Sequence, residues 1–294
     1  MARPRLALAV LVVAACAGPS RSAGPPAGAW SAATPGECGI ADVSFLDPTL
    51  PADDSGDALA LRLNVPAYRL DVLEDGRVTR EITVAVGTPE HPTPIGAFEV
   101  TKIVWNPWWI PPPFEWAKNE RVTPPGPNNP TGRVKLFFGY YLFLHGTPDE
   151  ASLGRAASHG CVRMANGDAI ALARTVHVHV SPGVAPALLD SLEANHRRTR
   201  TIALEIPVAL AIRYDLIEVR NGRIEFHEDI YNRRGAIDPA DVMAELAAAG
   251  IGAEGVDPDR LQAALAVRPP HAIDLAEVLR AGGAAPDAGA RSLP

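Results

Sequence analysis

Between Asn106 and Thr131 the chain carries eight prolines and three of its five tryptophans, Trp108, Trp109 and Trp116. Each proline lacks a backbone donor and fixes φ near −65°, so this stretch can be neither central strand nor helix interior. It must run as a long irregular segment. Inside a folded domain, such a segment with large aromatics is a lid or binding loop, or a surface loop pinned by aromatic anchors. Everything regular has to be assembled from the segments on either side of it.

Those segments read mainly as strands. Residues 59–65 (LALRLNV) and 68–73 (YRLDVL) alternate apolar and polar, the pattern of half-buried strands. Asp75-Gly76 turns the chain into a third strand over 78–86, and 97–105 forms another. Beyond the prolines, 133–145 (RVKLFFGYYLFLH) is a strand pair ending at His145. A helix is expected over 166–176, with Asn166 as N-cap and Ile170, Leu172, Ala173 and Val176 on its apolar face. His177-Val178-His179-Val180 alternates as a short strand with solvent-facing histidines, and 184–195 suggests a second helix. Residues 201–213 and 216–226 give three more strands, the last two joined by the type I′ turn signal Asn221-Gly222. After Arg234 the pattern becomes helical: Asp238 and Asp257 cap helices, 272–280 suggests a third, and 281–294 reads as disordered.

Composition excludes some classes. Apolar residues make up 47% and charged residues 21%, close to a soluble globular average. The formal net charge of −7 argues against a nucleic-acid binder, which presents a basic face. No apolar run reaches the ~18 residues of a spanning helix. The start of the chain, MARPRLALAVLVVAAC, has a basic n-region (Arg3, Arg5) and a short apolar h-region, the form of a secretory signal peptide. Val13-Ala14-Ala15-Cys16 resembles a bacterial lipobox, whose cysteine is lipidated, while Ala15-Cys16-Ala17 also fits ordinary signal peptidase. Residues 17–57, rich in Ala, Gly, Pro, Ser and Asp, read as a flexible tether. The expected location is the periplasm or cell envelope, with a lipid anchor at Cys16.

The cysteines are Cys16, Cys38 and Cys161. If Cys16 is lipidated, Cys38 lies in the tether and Cys161 sits in Ser158-His159-Gly160-Cys161. A lone cysteine can be a buried small apolar residue, a metal ligand or a nucleophile. Zinc would need a fourth ligand, and His145, His159 and Cys161 have no second CxxC or HxxxH to complete the set. A thiol nucleophile needs a base to take its proton. His145 closes a strand 16 positions before Cys161, and a Gly-containing loop of that length can fold back to bring the two together. Gly160 permits a tight turn beside the sulfur, and backbone N–H groups around Gly160 and Cys161 can face an oxyanion. Arg163, on the same face as Cys161 if this is a strand, suits a carboxylate.

Ser158-His159-Gly160-Cys161-Val162-Arg163, preceded by His145-Gly146-Thr147, resembles the signature of the L,D-transpeptidase (YkuD-like) catalytic-domain family. The resemblance runs over roughly 58–181. It includes Gly87-Thr88-Pro89, Thr93-Pro94-Ile95-Gly96-Ala97-Phe98, Trp105-Asn106-Pro107-Trp108-Trp109, and Gly126-Pro127-Asn128-Asn129-Pro130 with Gly132. Residues 204–231, with Ile206-Pro207-Val208 and Asp229-Ile230-Tyr231, resemble a segment that follows the core in some larger members.

The resemblance implies a mainly β fold, an antiparallel β-sandwich with short helices, followed here by a small helical C-terminal tail. It implies a bacterial cell-wall enzyme without cofactor or metal, serving peptidoglycan biosynthesis and cell shape. Cys161 would be the nucleophile and His145 its base, oriented through the carbonyl of Gly146. Ser158, His159 and Gly160 would shape the site, and Arg163 would contact substrate. The reaction would be acyl transfer from the third residue of a tetrapeptide stem onto an acceptor amine, with release of D-Ala. The alternatives are an L,D-carboxypeptidase, a hydrolase of wall-linked peptides, or a non-catalytic wall-binding lipoprotein. The expected organisation is a lipoprotein signal peptide at 1–15, a tether at 16–57 and a catalytic domain at 58–181. An extension packing on the core follows at 182–235, then a helical tail with a disordered end at 236–294.

Overall fold

The structure is a computed structural model that describes residues 58–280. The signal peptide, Cys16, the tether with Cys38, and the end at 281–294 lie outside the described residues.

The first strands follow directly from their alternation. β1 (Leu59–Asn64) buries Leu59, Leu61 and Leu63 and pairs antiparallel with β2 (Arg69–Glu74). β3 (Arg77–Gly87) leaves a turn whose Asp75 and Gly76 have φ of 48° and 72°, the values a type I′ hairpin requires. β4 (Gly96–Trp105) runs into the proline segment, and β5 (Val134–Gly139) and β6 (Leu142–Thr147) leave it as a hairpin. The short β7 (Ala156–Ser158) and β8 (Val162–Ala165) bracket Cys161, and β9 (Arg200–Arg213) is the longest strand.

The strand order is β2-β1-β9-β4-β5-β6-β8-β3, with β7 on the far side of β3, and β3 also pairs with β2. The sheet therefore closes on itself as a barrel-like ring, which corrects the antiparallel sandwich. Three pairings are parallel: β1 with β9, β6 with β8, and β3 with β7. Register shifts at Val72/Leu73, Val100/Lys102 and Phe137/Gly139 supply the bends that closure needs. The interior is filled by Leu61, Leu63, Ile82, Val100, Leu136, Leu144, Met164 and Leu210, all essentially inaccessible. β9 falls within 182–235, so that segment supplies a strand of the barrel rather than a layer laid on it.

The helix α1 (Asn166–Val180) is longer than the sequence reading allows. Its buried positions Ala169, Leu172, Ala173, Val176, His177 and Val180 keep a helical period, so 177–180 is helix and not strand. Packing against β5, β6 and β9 overrides the β-like local alternation. His177 faces inward and accepts a hydrogen bond from Trp105 Nε1 at 3.2 Å. Asn166 does not cap the helix: Ala165 holds that position, and Asn166 Oδ1 accepts from Arg133 N (2.8 Å) while its Nδ2 donates to Thr147 O (3.0 Å). The side chain thus ties together β5, β6 and α1. α2 (Pro186–Ala194) follows with Pro186 at its first position, where the missing N–H costs nothing.

A second, smaller core lies C-terminal. β10 (Ile217–Arg220) and β11 (Arg223–Phe226) are joined by Asn221 and Gly222 at φ of 50° and 72°. α3 (Pro239–Ala248) and α4 (Pro258–Leu265) are capped by the side chains of Asp238 and Asp257. Residues 271–274 are a strand, β12, that pairs with β11, and only Leu275–Val278 (α5) is helical, which corrects the expected helix over 272–280. Ile224, Phe226, Val242, Leu246, Leu261 and Val278 form the core. Arg69 of β2 joins this unit to the barrel through Glu218 (2.6 Å) and Glu225 (3.3 Å). Those carboxylates and His227 are metal-ligand types in close proximity, and both carboxylates are already engaged by the Arg69 guanidinium.

The proline segment is held by two asparagines. Prolines offer carbonyls without matching N–H groups, so the fold needs donors from side chains. Asn129 Nδ2 donates to the carbonyls of Pro107, Thr123 and Pro124 at 2.9–3.2 Å, and Oδ1 receives Thr131 N and Oγ1. Asn106 Nδ2 donates to the carbonyls of Leu192, Asn195 and Arg198, anchoring the segment's start to the end of α2. Asn129→Ala is expected to cost about 2–3 kcal/mol, the scale of stranding buried polar partners. The exposed neighbour change Asn128→Ala should stay within about 0.5 kcal/mol, and paired thermal melts read the difference.

Candidate active site

The site is a consequence of register. Antiparallel β5 sets Lys135 opposite His145, and parallel β8 sets Arg163 opposite His145 on the other side. Lys135, His145 and Arg163 thus form one row across three strands. In the neighbouring row Phe137 lies opposite Phe143, and Cys161 reaches this row just before β8 begins. The Phe143 N–H donates to Cys161 Sγ, and the thiol donates to Tyr141 O at 3.3 Å. The rings of Phe143 and His145 touch edge to face with centroids 5.5 Å apart, so the imidazole lies on the ring and the thiol on the backbone amide of the same residue.

The remaining sequence-predicted residues build the turn that presents Cys161. Gly160 has φ of 100°, a conformation side chains rarely adopt. Ser158 Oγ accepts from Gly160 N at 3.2 Å and donates to Cys161 O, closing the turn. This spends the Gly160 N–H, so of the two amides picked out in the sequence only that of Cys161 stays available for an oxyanion. Gly146 is required by close approach: a Cβ there would meet Asn166 Oδ1 at 2.3 Å. His159 is exposed, and its ring stacks on Trp116 at 4.0 Å and lies 4.7 Å from His91. The nitrogens of His145 and His159 and the Cys161 sulfur do not converge within 4.8 Å of one another, which removes the zinc geometry. The proline segment sits over this turn: Trp109 lies beside Trp116, and Phe114 packs on Tyr141.

Burial sets the protonation states. His145 Nδ1–H donates to Gly146 O at 2.7 Å, because a carbonyl can only accept, and this leaves Nε2 as the proton acceptor. Burial pushes His145 down to about 3, with the Gly146 bond opposing and the cations Arg163 and Lys135 adding to the fall. Burial pushes the Cys161 thiol up to about 11, against the Phe143 amide, Lys135 and Arg163. At neutral pH the pair is therefore a thiol and a neutral imidazole.

Residues 60–185 match the family model of the L,D-transpeptidase catalytic domain, YkuD. That stretch is similar to the L,D-transpeptidase catalytic domain along its whole matched length. The chain is 30% identical over 122 residues to "Putative L,D-transpeptidase YqjB" of Bacillus subtilis (strain 168), covering 40% of this chain and 65% of that protein. It is 45% identical over 47 residues to "Probable L,D-transpeptidase YbiS" of Escherichia coli (strain K12), covering 16% and 15%. Among solved structures, an L,D-transpeptidase from Mycobacterium smegmatis aligns over 53% of this chain and 58% of that one, at 16% identity and a TM-score of 0.35. The chain thus spans less than two thirds of the length of each of these relatives.

The sequence reading missed one member of the site. Lys135 is buried, donates to Trp108 O at 3.3 Å, and lies over the rings of Phe143 (4.6 Å) and Trp109 (5.5 Å). The available signal was a lysine interrupting the apolar run VKLFF on a strand that leads to His145. Burial lowers Lys135 to about 8, so it is charged at pH 7 and neutral at pH 10. While charged, it favours the Cys161 thiolate. Iodoacetamide alkylation of Cys161 at pH 7 should therefore slow about tenfold in Lys135→Met, the scale of one lost neighbouring charge. By pH 10 the two rates should converge, and a full pH–rate profile for both proteins checks this.

Proposed function

We propose that this protein is a peptidoglycan L,D-transpeptidase in which Cys161 is the nucleophile and His145 its base. The observation that carries the reading is the pair itself. A thiol and a neutral imidazole with a bare Nε2 sit on neighbouring rows of one buried face, the imidazole held by the carbonyl of Gly146. In the attack the thiol proton passes to His145 Nε2 as sulfur bonds to the carbonyl carbon of the third stem residue. The proton moves during the reaction rather than before it, because burial disfavours both charged forms. The Cys161 N–H receives the oxyanion. The carbon–nitrogen bond then breaks, D-Ala leaves with the proton from His145, and a thioester remains on Cys161. An acceptor amine resolves the thioester. Arg163, half-buried and without an ion pair among the described residues, is a ligand for a substrate carboxylate. Ser158 and Gly160 hold the turn, and His159 with Trp116 forms a wall of the substrate groove.

Residues 1–57 lie outside the described residues. The lipobox at Val13–Cys16 supports export and a lipid anchor at Cys16, with the catalytic domain working in the cell envelope. Cys16→Ala should move the protein from the membrane pellet to the soluble envelope fraction.

The reaction is tested by incubating the purified protein with disaccharide-tetrapeptides and identifying products by mass spectrometry. Cross-linked dimers, or exchange of D-Ala for an added D-amino acid, are expected. Tripeptide alone would indicate an L,D-carboxypeptidase, and no product would indicate a wall-binding protein. Cys161→Ala should abolish turnover, and His145→Ala should slow acylation by at least ~10²-fold, the usual scale for a general base.

A further inference from the structure

The peptide unit between Gly160 and Cys161 carries the Cys161 N–H, the one of the two amides around Gly160 and Cys161 that the Ser158 hydroxyl does not take. That unit is planar and trans, so whatever holds the Gly160 carbonyl also aims the Cys161 N–H at its opposite end. The carbonyl is held by Thr93, whose buried Oγ1 donates to Gly160 O at 3.1 Å and accepts from Gly87 N at 2.8 Å. Thr93 is held in turn from outside the stretch that matches the family model. Tyr231 Oη donates to Gly87 O at 2.8 Å and accepts from Thr93 N at 3.1 Å. One hydroxyl thus pins both ends of the 87–93 loop.

Tyr231 is itself fixed. Its N–H donates to Tyr214 Oη (2.7 Å), which donates to Asp229 Oδ1 (2.7 Å). The two tyrosine rings stack at 5.5 Å, and the Asp229 carboxylate also caps the N–H groups of Arg233, Arg234 and Gly235. The Asp229-Ile230-Tyr231 element is therefore a rigid bracket that ends on the catalytic turn. Gly87 makes the contact close, since a Cβ there would lie 2.1 Å from His91 O.

The geometry points to Tyr231 as a positioning residue for acyl transfer, acting through Thr93 and the Gly160 carbonyl to aim the Cys161 amide at the oxyanion. The inference rests on the acyl-transfer reading above. It assigns the segment after the family-matched stretch a role in the chemistry, not only in the barrel.

Two reactions of the same sulfur separate this role from a structural one. Acylation by a disaccharide-tetrapeptide forms an oxyanion, whereas alkylation by iodoacetamide forms none. Tyr231→Phe keeps the stacked ring and removes only the hydroxyl. It should lower the acylation kcat about tenfold, less than the ~10²–10³-fold of deleting an oxyanion donor outright. KM should stay within about twofold and the alkylation rate should be unchanged. Thr93→Val should lower acylation at least as much, and Thr93→Ser, which keeps the hydroxyl, should restore it. Equal acylation in Tyr231→Phe and wild type would overturn the positioning role. So would a parallel fall in acylation and alkylation, which marks a general loss of structure. A wild-type protein that alkylates but is never acylated would overturn the acyl-transfer reading, and the role of Tyr231 with it.

Discussion

The parallel pairing of β6 with β8 is the constraint on which the site depends. Parallel neighbours cannot be joined by a tight hairpin, so the chain must leave β6 after Thr147 and return through β7 and the Gly160 turn. That excursion brings Cys161 to the end of β8, and the ladder brings Arg163 beside His145. Asn166 secures the arrangement from below by bonding to Arg133 of the loop before β5 and to Thr147 at the end of β6. Gly146 and Gly132 are small because both pack on that amide oxygen, at which a Cβ would arrive within 2.2–2.3 Å.

The same burial that orders the site makes charge expensive there. A stored thiolate–imidazolium pair would place two ions on a face where His145 is driven toward neutrality and Cys161 toward the thiol. The two cations near them, Lys135 and Arg163, favour a thiolate and oppose an imidazolium. The two cations thus offset part of what burial costs a negative charge on sulfur or on an oxyanion, and both they and burial favour prompt return of the proton from His145.

Much of the first half of the barrel was legible because its strands alternate and the β2–β3 hairpin carries an Asp-Gly turn. The residues at 145–163 were legible as a local motif. What stayed hidden needed tertiary contact. The ring closes through β8 lying against β3 and through β9 lying between β1 and β4, and no local pattern encodes either. His177 reads as strand because its neighbours are β-branched, yet its burial against Trp105 makes it helix. Asn166 reads as a cap because it precedes an apolar period, but its amide is needed by two strand ends. Lys135 and Tyr231 lie 26 and 70 positions from Cys161 and reach its turn only in the folded chain. The proline segment was legible as a non-repetitive covering loop, although its two asparagine anchors were not.

The most direct test of the whole account is the intact mass of the protein during turnover. Rapid quenching after mixing with a disaccharide-tetrapeptide should trap an adduct equal to the donor less D-Ala. Peptide mapping should place it as a thioester on Cys161, absent from Cys161→Ala. An adduct on another residue, or turnover by Cys161→Ala, would contradict it.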